Sequence, residues 1–308
     1  MLIAKNLTKK YGDKTIIQDF DLELQSGQAI GFLGPNGAGK TTIMRMLNRI
    51  SHPDSGTVTL DGHKLTDKDL IKIGYMPEEK GLYPQMRVID QLIYFARIRG
   101  LTIKEAHRVS WHWLNKFEMG QYSKHKHSSL SKGNAQKIQF IVTVLHNPEI
   151  LILDEPLSGL DPINADLINN SLKELQKEGK TILFSSHRME QVEAICDRII
   201  LINQGHKIAD GTLAELQKPY WESSLILELE KPYNPEDFRL SNCELKPLNK
   251  FAVQVNLSQS QSVNQVISYC ISRRIELKGF HKSLPTIKEI FIKLTQADNQ
   301  TQPIPKIQ

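Results

Sequence analysis

Gly34, Pro35, Asn36, Gly37, Ala38, Gly39, Lys40 and Thr41 follow one another in the order G-x-x-x-x-G-K-[ST], the spacing of a loop that holds polyphosphate. Glycines in such a loop let successive backbone N–H groups turn inward around phosphate oxygens, and the helix that follows adds the partial positive charge of its N-terminus. Lys40 reaches the β- and γ-phosphates; the Thr41 hydroxyl, with Thr42 behind it, can ligate magnesium. The flanks agree with this chemistry. Residues 28–33 are a short run suited to a buried strand, and residues 41–47 carry apolar side chains at helical spacing.

A phosphate loop alone leaves GTPases, kinases, helicases and transport ATPases open. The stretch Ile150-Leu-Ile-Leu-Asp154-Glu155-Pro156 narrows them, because it reads as a buried strand that delivers two carboxylates at its C-terminal end. Asp154 is placed to hold magnesium through water, and Glu155 to polarise the attacking water. A GTPase would need Asn-Lys-x-Asp to read its base. The nearest match, Asn115-Lys-Phe-Glu118, ends in the wrong residue.

These groups need a scaffold, and 308 residues suggest one large domain plus a small one. Strand-like segments fill residues 1–62. Apolar residues at helical spacing among charges (Leu92, Ile93, Phe95, Ala96, Ile98, then Trp111, Leu114 and Phe117) indicate a helical insertion, about residues 86–145 in all. Strands and helices then alternate through residues 149–203, the pattern of a mostly parallel sheet covered by helices. Beyond residue 215 the style changes to strands at 225–229, 251–256 and 275–280 with helices at 262–271 and 284–294, which we read as a separate α+β domain over 216–297. The polar tail, 298–308, is expected to be disordered.

Composition excludes several functions. The net charge of +5 is spread without a Lys/Arg block or an aromatic-interleaved basic stripe, so nucleic acid is not an expected partner. Cys196, Cys243 and Cys270 are far apart and lack metal spacing, which reads as reduced thiols. No signal peptide is visible after Met1. The apolar run 138–145 falls far short of the ~20 residues that span a bilayer. His125 and His127, with His107 and His112 upstream, read as solvated rather than metal-binding.

Over about residues 1–215 the chain resembles the ATPase subunit of an ATP-binding cassette (ABC) transporter. Leu130-Ser-Lys-Gly-Asn134, just before a helix expected to start near Gln136, resembles the family signature Leu-Ser-Gly-Gly-Gln. Ser158-Gly-Leu-Asp161 resembles the loop that passes between two halves of a dimer, His187 the switch histidine, and Tyr11 the aromatic residue stacked on adenine. The resemblance implies an α/β P-loop NTPase domain with a mixed sheet and a helical insertion. It implies ATP and Mg2+ as cofactors, with Glu155, His187 and Lys40 catalytic and Thr41, Glu78 and Asp154 around the metal. It also implies a second ATPase subunit, identical or different, whose nucleotide Ser131 and the Gly133 N–H would contact. The remaining partner would be a separate membrane-spanning permease, contacted through Leu82, Tyr83, Met86 and the exposed face of the insertion, which places the chain at the cytoplasmic face of the plasma membrane.

Lys132 and Asn134 depart from the signature, and Glu78 in Gly74-Tyr-Met-Pro-Glu78 stands where the family has Gln. Glu78-Glu-Lys-Gly-Leu-Tyr83 and the altered signature resemble bacterial sodium-efflux ATPases that carry a small C-terminal domain. The expected function is to power an exporter of ions, drugs or peptides. The alternative is a soluble cassette ATPase acting on ribosomes or DNA; no second cassette, coiled-coil insertion or zinc insertion supports it.

Overall fold

The computed structural model describes residues 1–79, 81–220, 224–235, 238, 243–257 and 262–298. Two strands open the chain, β1 (Leu2–Tyr11) and β2 (Lys14–Leu24), and β3 (Ala29–Leu33) runs through the phosphate loop into α1 (Lys40–Leu47). Next come β4 (Ser55–Leu60), β5 (His63–Lys64) and β6 (Ile73–Met76), then three helices, α2 (Val88–Ile98), α3 (Ile103–Lys116) and α4 (Lys132–Val144). The alternation that follows is β7 (Ile150–Asp154), α5 (Pro162–Lys177), β8 (Thr181–Ser186), α6 (Met189–Ile195), β9 (Arg198–Asn203) and β10 (His206–Gly211).

A six-stranded sheet in the order β10-β9-β3-β8-β7-β6 positions the chemistry. Its strands β9, β3, β8, β7 and β6 pair in parallel and β10 closes the edge antiparallel, so the sheet is mixed. The central strands β3, β7 and β8 are buried at every position, as expected of strands covered on both faces. A second, antiparallel sheet, β2-β1-β4-β5, packs its apolar side into the same core through Leu2, Leu7, Phe20 and Leu24. Phe20 and Phe32 meet edge to face there, 6.1 Å between centroids.

The unit comprising Met1–Thr212 contains both sheets and all six helices named so far. The remainder, from Leu213, forms a separate unit. It contains α7 (Leu213–Gln217), β11 (Ser224–Leu229), β12 (Cys243–Asn249), β13 (Ala252–Leu257), α8 (Val263–Ser272), β14 (Leu277–Lys282) and α9 (Ile287–Asp298). Its antiparallel sheet, β12-β13-β11-β14, shares a small core of Leu225, Leu227, Val253, Val255, Val266 and Cys270. Strand β12 was not foreseen. It is an edge strand, and exposed Lys246, Pro247, Leu248 and Asn249 break the alternation that marks a half-buried strand. Residues 299–308 of the tail expected to be disordered lie outside the described residues.

Two local expectations are corrected. Helix α4 begins at Lys132 rather than near Gln136, because the Ser131 hydroxyl caps it by accepting from the Asn134 backbone N–H at 3.2 Å, and a capped start overrides the low helix propensity of Gly133. His107, His112 and His125 are exposed, but His127 is buried: its backbone N–H donates to the Met86 carbonyl at 3.0 Å and draws it into the helical insertion.

Candidate nucleotide site

The phosphate loop leaves the C-terminal end of β3 and turns tightly against its neighbours. A Cβ at Gly34 would lie 2.2 Å from the Ile202 carbonyl oxygen; Gly39 has φ +104°, and a Cβ there would lie 2.3 Å from Ile17 Cδ1. Only glycine fits either position. Lys40, 7% exposed, folds back so that its ammonium donates to the carbonyls of Gly34 (2.7 Å) and Pro35 (3.1 Å). Burial lowers its pKa, while Glu155, Asp154 and Glu78 oppose the shift.

Strand order brings the carboxylates to this loop. Asp154, the last residue of β7, accepts the Thr41 hydroxyl on Oδ2 at 2.6 Å although 113 positions separate them. Its other oxygen accepts the Ser185 hydroxyl at 2.5 Å. Glu155 follows in the left-handed region, φ +50°, and its Oε2 lies 2.9 Å from His187 Nδ1. Burial raises the Glu155 pKa; the His187 contact and Lys40 pull it back. A buried carboxylate of raised basicity, paired with a half-exposed imidazole, suits proton abstraction from water.

Tyr11, Lys14, Ile16, Asn36, Gly37, Ala38, Gly39, Lys40, Thr41, Thr42, Glu78, Asp154, Glu155, Ser158 and His187 line one cleft of about 880 Å³. Tyr11 is half exposed at its mouth, with Lys9 Nζ 5.4 Å above the ring. The cleft therefore unites Tyr11, most of the phosphate loop, both acidic residues, Glu78 and His187. Among the sequence-derived site residues, Gly34 and Pro35 do not line the cleft but hold Lys40 through their carbonyls, and Ser131, Gly133 and Asp161 are elsewhere. They form a second cluster, since Gly133 lies beside Leu160 and Asn164 while Asp161 caps α5 by accepting from the Asn164 backbone at 3.0 Å.

Sequence reasoning missed several supporting groups. Lys14 and Ile16 carry no motif of their own, yet they wall the cleft, as does Ser158, the first residue of the segment likened to the dimer-crossing loop. Gln139 of α4 donates to the carbonyls of Pro77 (2.6 Å) and Glu79 (3.2 Å), so it holds the loop on either side of Glu78. Ser185, near the end of a segment that reads as a strand and two residues before His187, carries no motif. The oxygen donors Thr41 Oγ1 and Asp154 Oδ2 converge beside the phosphate loop, a hard donor set that fits a divalent cation such as Mg2+.

A phosphate loop on β3, a strand-end carboxylate pair on β7 and an imidazole after β8 define a nucleotide-hydrolysing cassette, and the comparisons agree. The family described as ABC transporter matches residues 17–158. The chain is 38% identical over 299 residues to the uncharacterized ABC transporter ATP-binding protein YhaQ of Bacillus subtilis, covering 95% of this chain and 98% of the relative. It is 33% identical to the linearmycin resistance ATP-binding protein LnrL of the same organism, covering 96% and 98% of the two. Its fold matches a dimeric bacterial ABC transporter cassette, MJ0796, with TM-score 0.64 and 25% identity over 69% of this chain and 98% of that one. The chain belongs to the ABC transporter ATP-binding proteins and is an ATPase.

Proposed function

We propose that this chain powers an exporter whose membrane-spanning part is a separate polypeptide. The observation that carries the reading is a cleft that gathers the phosphate loop, Asp154, Glu155 and His187 in a chain that, among its described residues, has no helix long and apolar enough to cross a membrane. In this reading the phosphate loop with Lys40 holds the phosphates, Tyr11 stacks on adenine, and Thr41, Asp154 and Glu78 surround Mg2+. Glu155, oriented by His187, activates water. Ser131, the Gly133 N–H and Asp161 serve the nucleotide of a second ATPase subunit, which is why they lie outside the cleft of their own chain. The small C-terminal domain, about residues 216–297, assists dimer contact or regulation.

An aromatic face on the helical insertion supports contact with a membrane partner. Tyr83 and Tyr94 are 47% and 40% exposed; Tyr83 stacks on Phe95 at 6.0 Å, beside a cavity of about 150 Å³ that reaches Arg99, Gln139 and His146. Such an amphipathic aromatic patch suits an interface. The membrane protein encoded by the neighbouring reading frame should co-purify with this chain and raise its ATPase rate, and Tyr83→Ala with Tyr94→Ala should weaken both effects while basal hydrolysis persists. Stimulation by ribosomes or DNA instead would favour a soluble role. The name of the linearmycin relative speaks for drug efflux and the likeness around Glu78 for ions; transport by the reconstituted pair decides the cargo.

Glu78 gives a metal-based test. A carboxylate in place of an amide supplies a stronger hard-oxygen ligand but adds negative charge near the γ-phosphate. Glu78→Gln should therefore weaken magnesium binding, moving the half-maximal rate to higher magnesium without abolishing hydrolysis. Superimposable magnesium titrations of the two proteins would remove Glu78 from the metal and leave contact with the membrane partner as its role.

A further inference from the structure

Glu155 has a backbone conformation that a non-glycine residue rarely adopts, and both of its backbone polar groups are held by buried side chains. Its N–H donates to the Ser185 hydroxyl at 3.0 Å. On the other side, the Gln136 amide of α4 lies 3.4 Å from the Glu155 carbonyl oxygen and 3.1 Å from that of Pro156, donating to both. Ser185 is fully buried and Gln136 is 5% exposed, so solvent cannot replace either contact.

The Ser185 hydroxyl does two things at once. A hydroxyl has one proton and two lone pairs. Here the proton goes to Asp154 Oδ1 and a lone pair receives the Glu155 N–H. The parallel register of β7 and β8 makes this possible, because it sets Asp154 directly opposite Ser185. With Oδ1 occupied, the carboxylate is turned so that Oδ2 meets the Thr41 hydroxyl.

We infer that Ser185 and Gln136 are positioning residues for hydrolysis: together they clamp the left-handed turn at Glu155, hold its carboxylate against His187, and orient Asp154 toward the phosphate loop. A left-handed non-glycine residue persists only where its surroundings over-determine it, and these contacts supply that constraint. Because Gln136 sits on the helix that Ser131 caps, the clamp also joins the base to the signature segment. The inference rests on Glu155 being the base.

The test uses the full chain with Ser185→Ala, Ser185→Val, Ser185→Thr and Gln136→Leu, measuring kcat, ATP affinity and melting temperature. The Thr and Val side chains have nearly the same shape, so their ratio isolates the hydroxyl whatever strain the extra methyl adds. The expected result is a kcat lowered about 10- to 100-fold in the Ala, Val and Leu variants, with ATP affinity unchanged and Thr well above Val, since misplacement of a reacting group on the ångström scale costs that much. Unchanged kcat in Ser185→Ala, equal rates for Thr and Val, or loss of ATP affinity in step with kcat would each overturn the clamp. Failure of the underlying reading looks different: Glu155→Gln itself would then keep near-normal turnover.

Discussion

Glu155→Gln will bind ATP and fail to hydrolyse it. The amide has nearly the shape of the carboxylate but cannot accept a proton, and the phosphate loop, Thr41 and Asp154 are untouched by the change. General-base catalysis is worth on the order of 10²–10⁴-fold in rate, and the variant should lose at least that. Loss of turnover with binding intact leaves the ATP-bound state as an end point, so a stable nucleotide-bound dimer should appear by size-exclusion chromatography in ATP and Mg2+. The His187 contact, at 2.9 Å from Glu155, should survive as a neutral hydrogen bond, which keeps the fold of the site comparable. Near-normal turnover would remove Glu155 from its role and pass water activation to another basic group of the cleft, His187, Glu78 or Asp154.

Lys40→Ala and Ser131→Arg, each inactive alone, will restore part of the activity when mixed. Lys40 lies in the cleft and Ser131 on the capped end of α4, outside it, so within one chain the two groups do not meet at one nucleotide. In a two-fold dimer each nucleotide would take Lys40 from one subunit and Ser131 from the other. A mixed dimer then contains one site with both residues intact. Random pairing makes half of the dimers mixed, so recovery should approach roughly a quarter of the wild-type rate. Removing Ser131 also costs a helix cap, worth about 1 kcal/mol, which is too little to unfold the chain and can be checked by melting. No recovery in demonstrably mixed dimers would count against the shared site.

The motifs that carry local chemistry were legible because their physics is local. Gly34 and Gly39 are glycines because a Cβ would strike Ile202 and Ile17, and the need for inward-facing N–H groups is written into eight consecutive residues. Asp161 and Ser131 were singled out only because their segments resemble family motifs, and the structure adds that each caps a helix. The start of α4 was misplaced, since Gly133 and Asn134 argue against helix and only the cap outweighs them.

The amino-acid sequence by itself determined that this protein holds a nucleotide phosphate chain and that a buried strand delivers Asp154 and Glu155 at its C-terminal end. What only the tertiary structure decided was which side chains stand behind those groups. Strand order places β8 between β3 and β7, and that single neighbour relation puts Ser185 against both Asp154 and Glu155. Packing of α4 likewise brings Gln136 to the Glu155 turn and Gln139 to the loop around Glu78. None of these residues carries a motif, because Ser and Gln are ordinary donors wherever they occur. Their roles come from crossovers that bring distant segments into register, a long-range property that spacing along the chain does not encode.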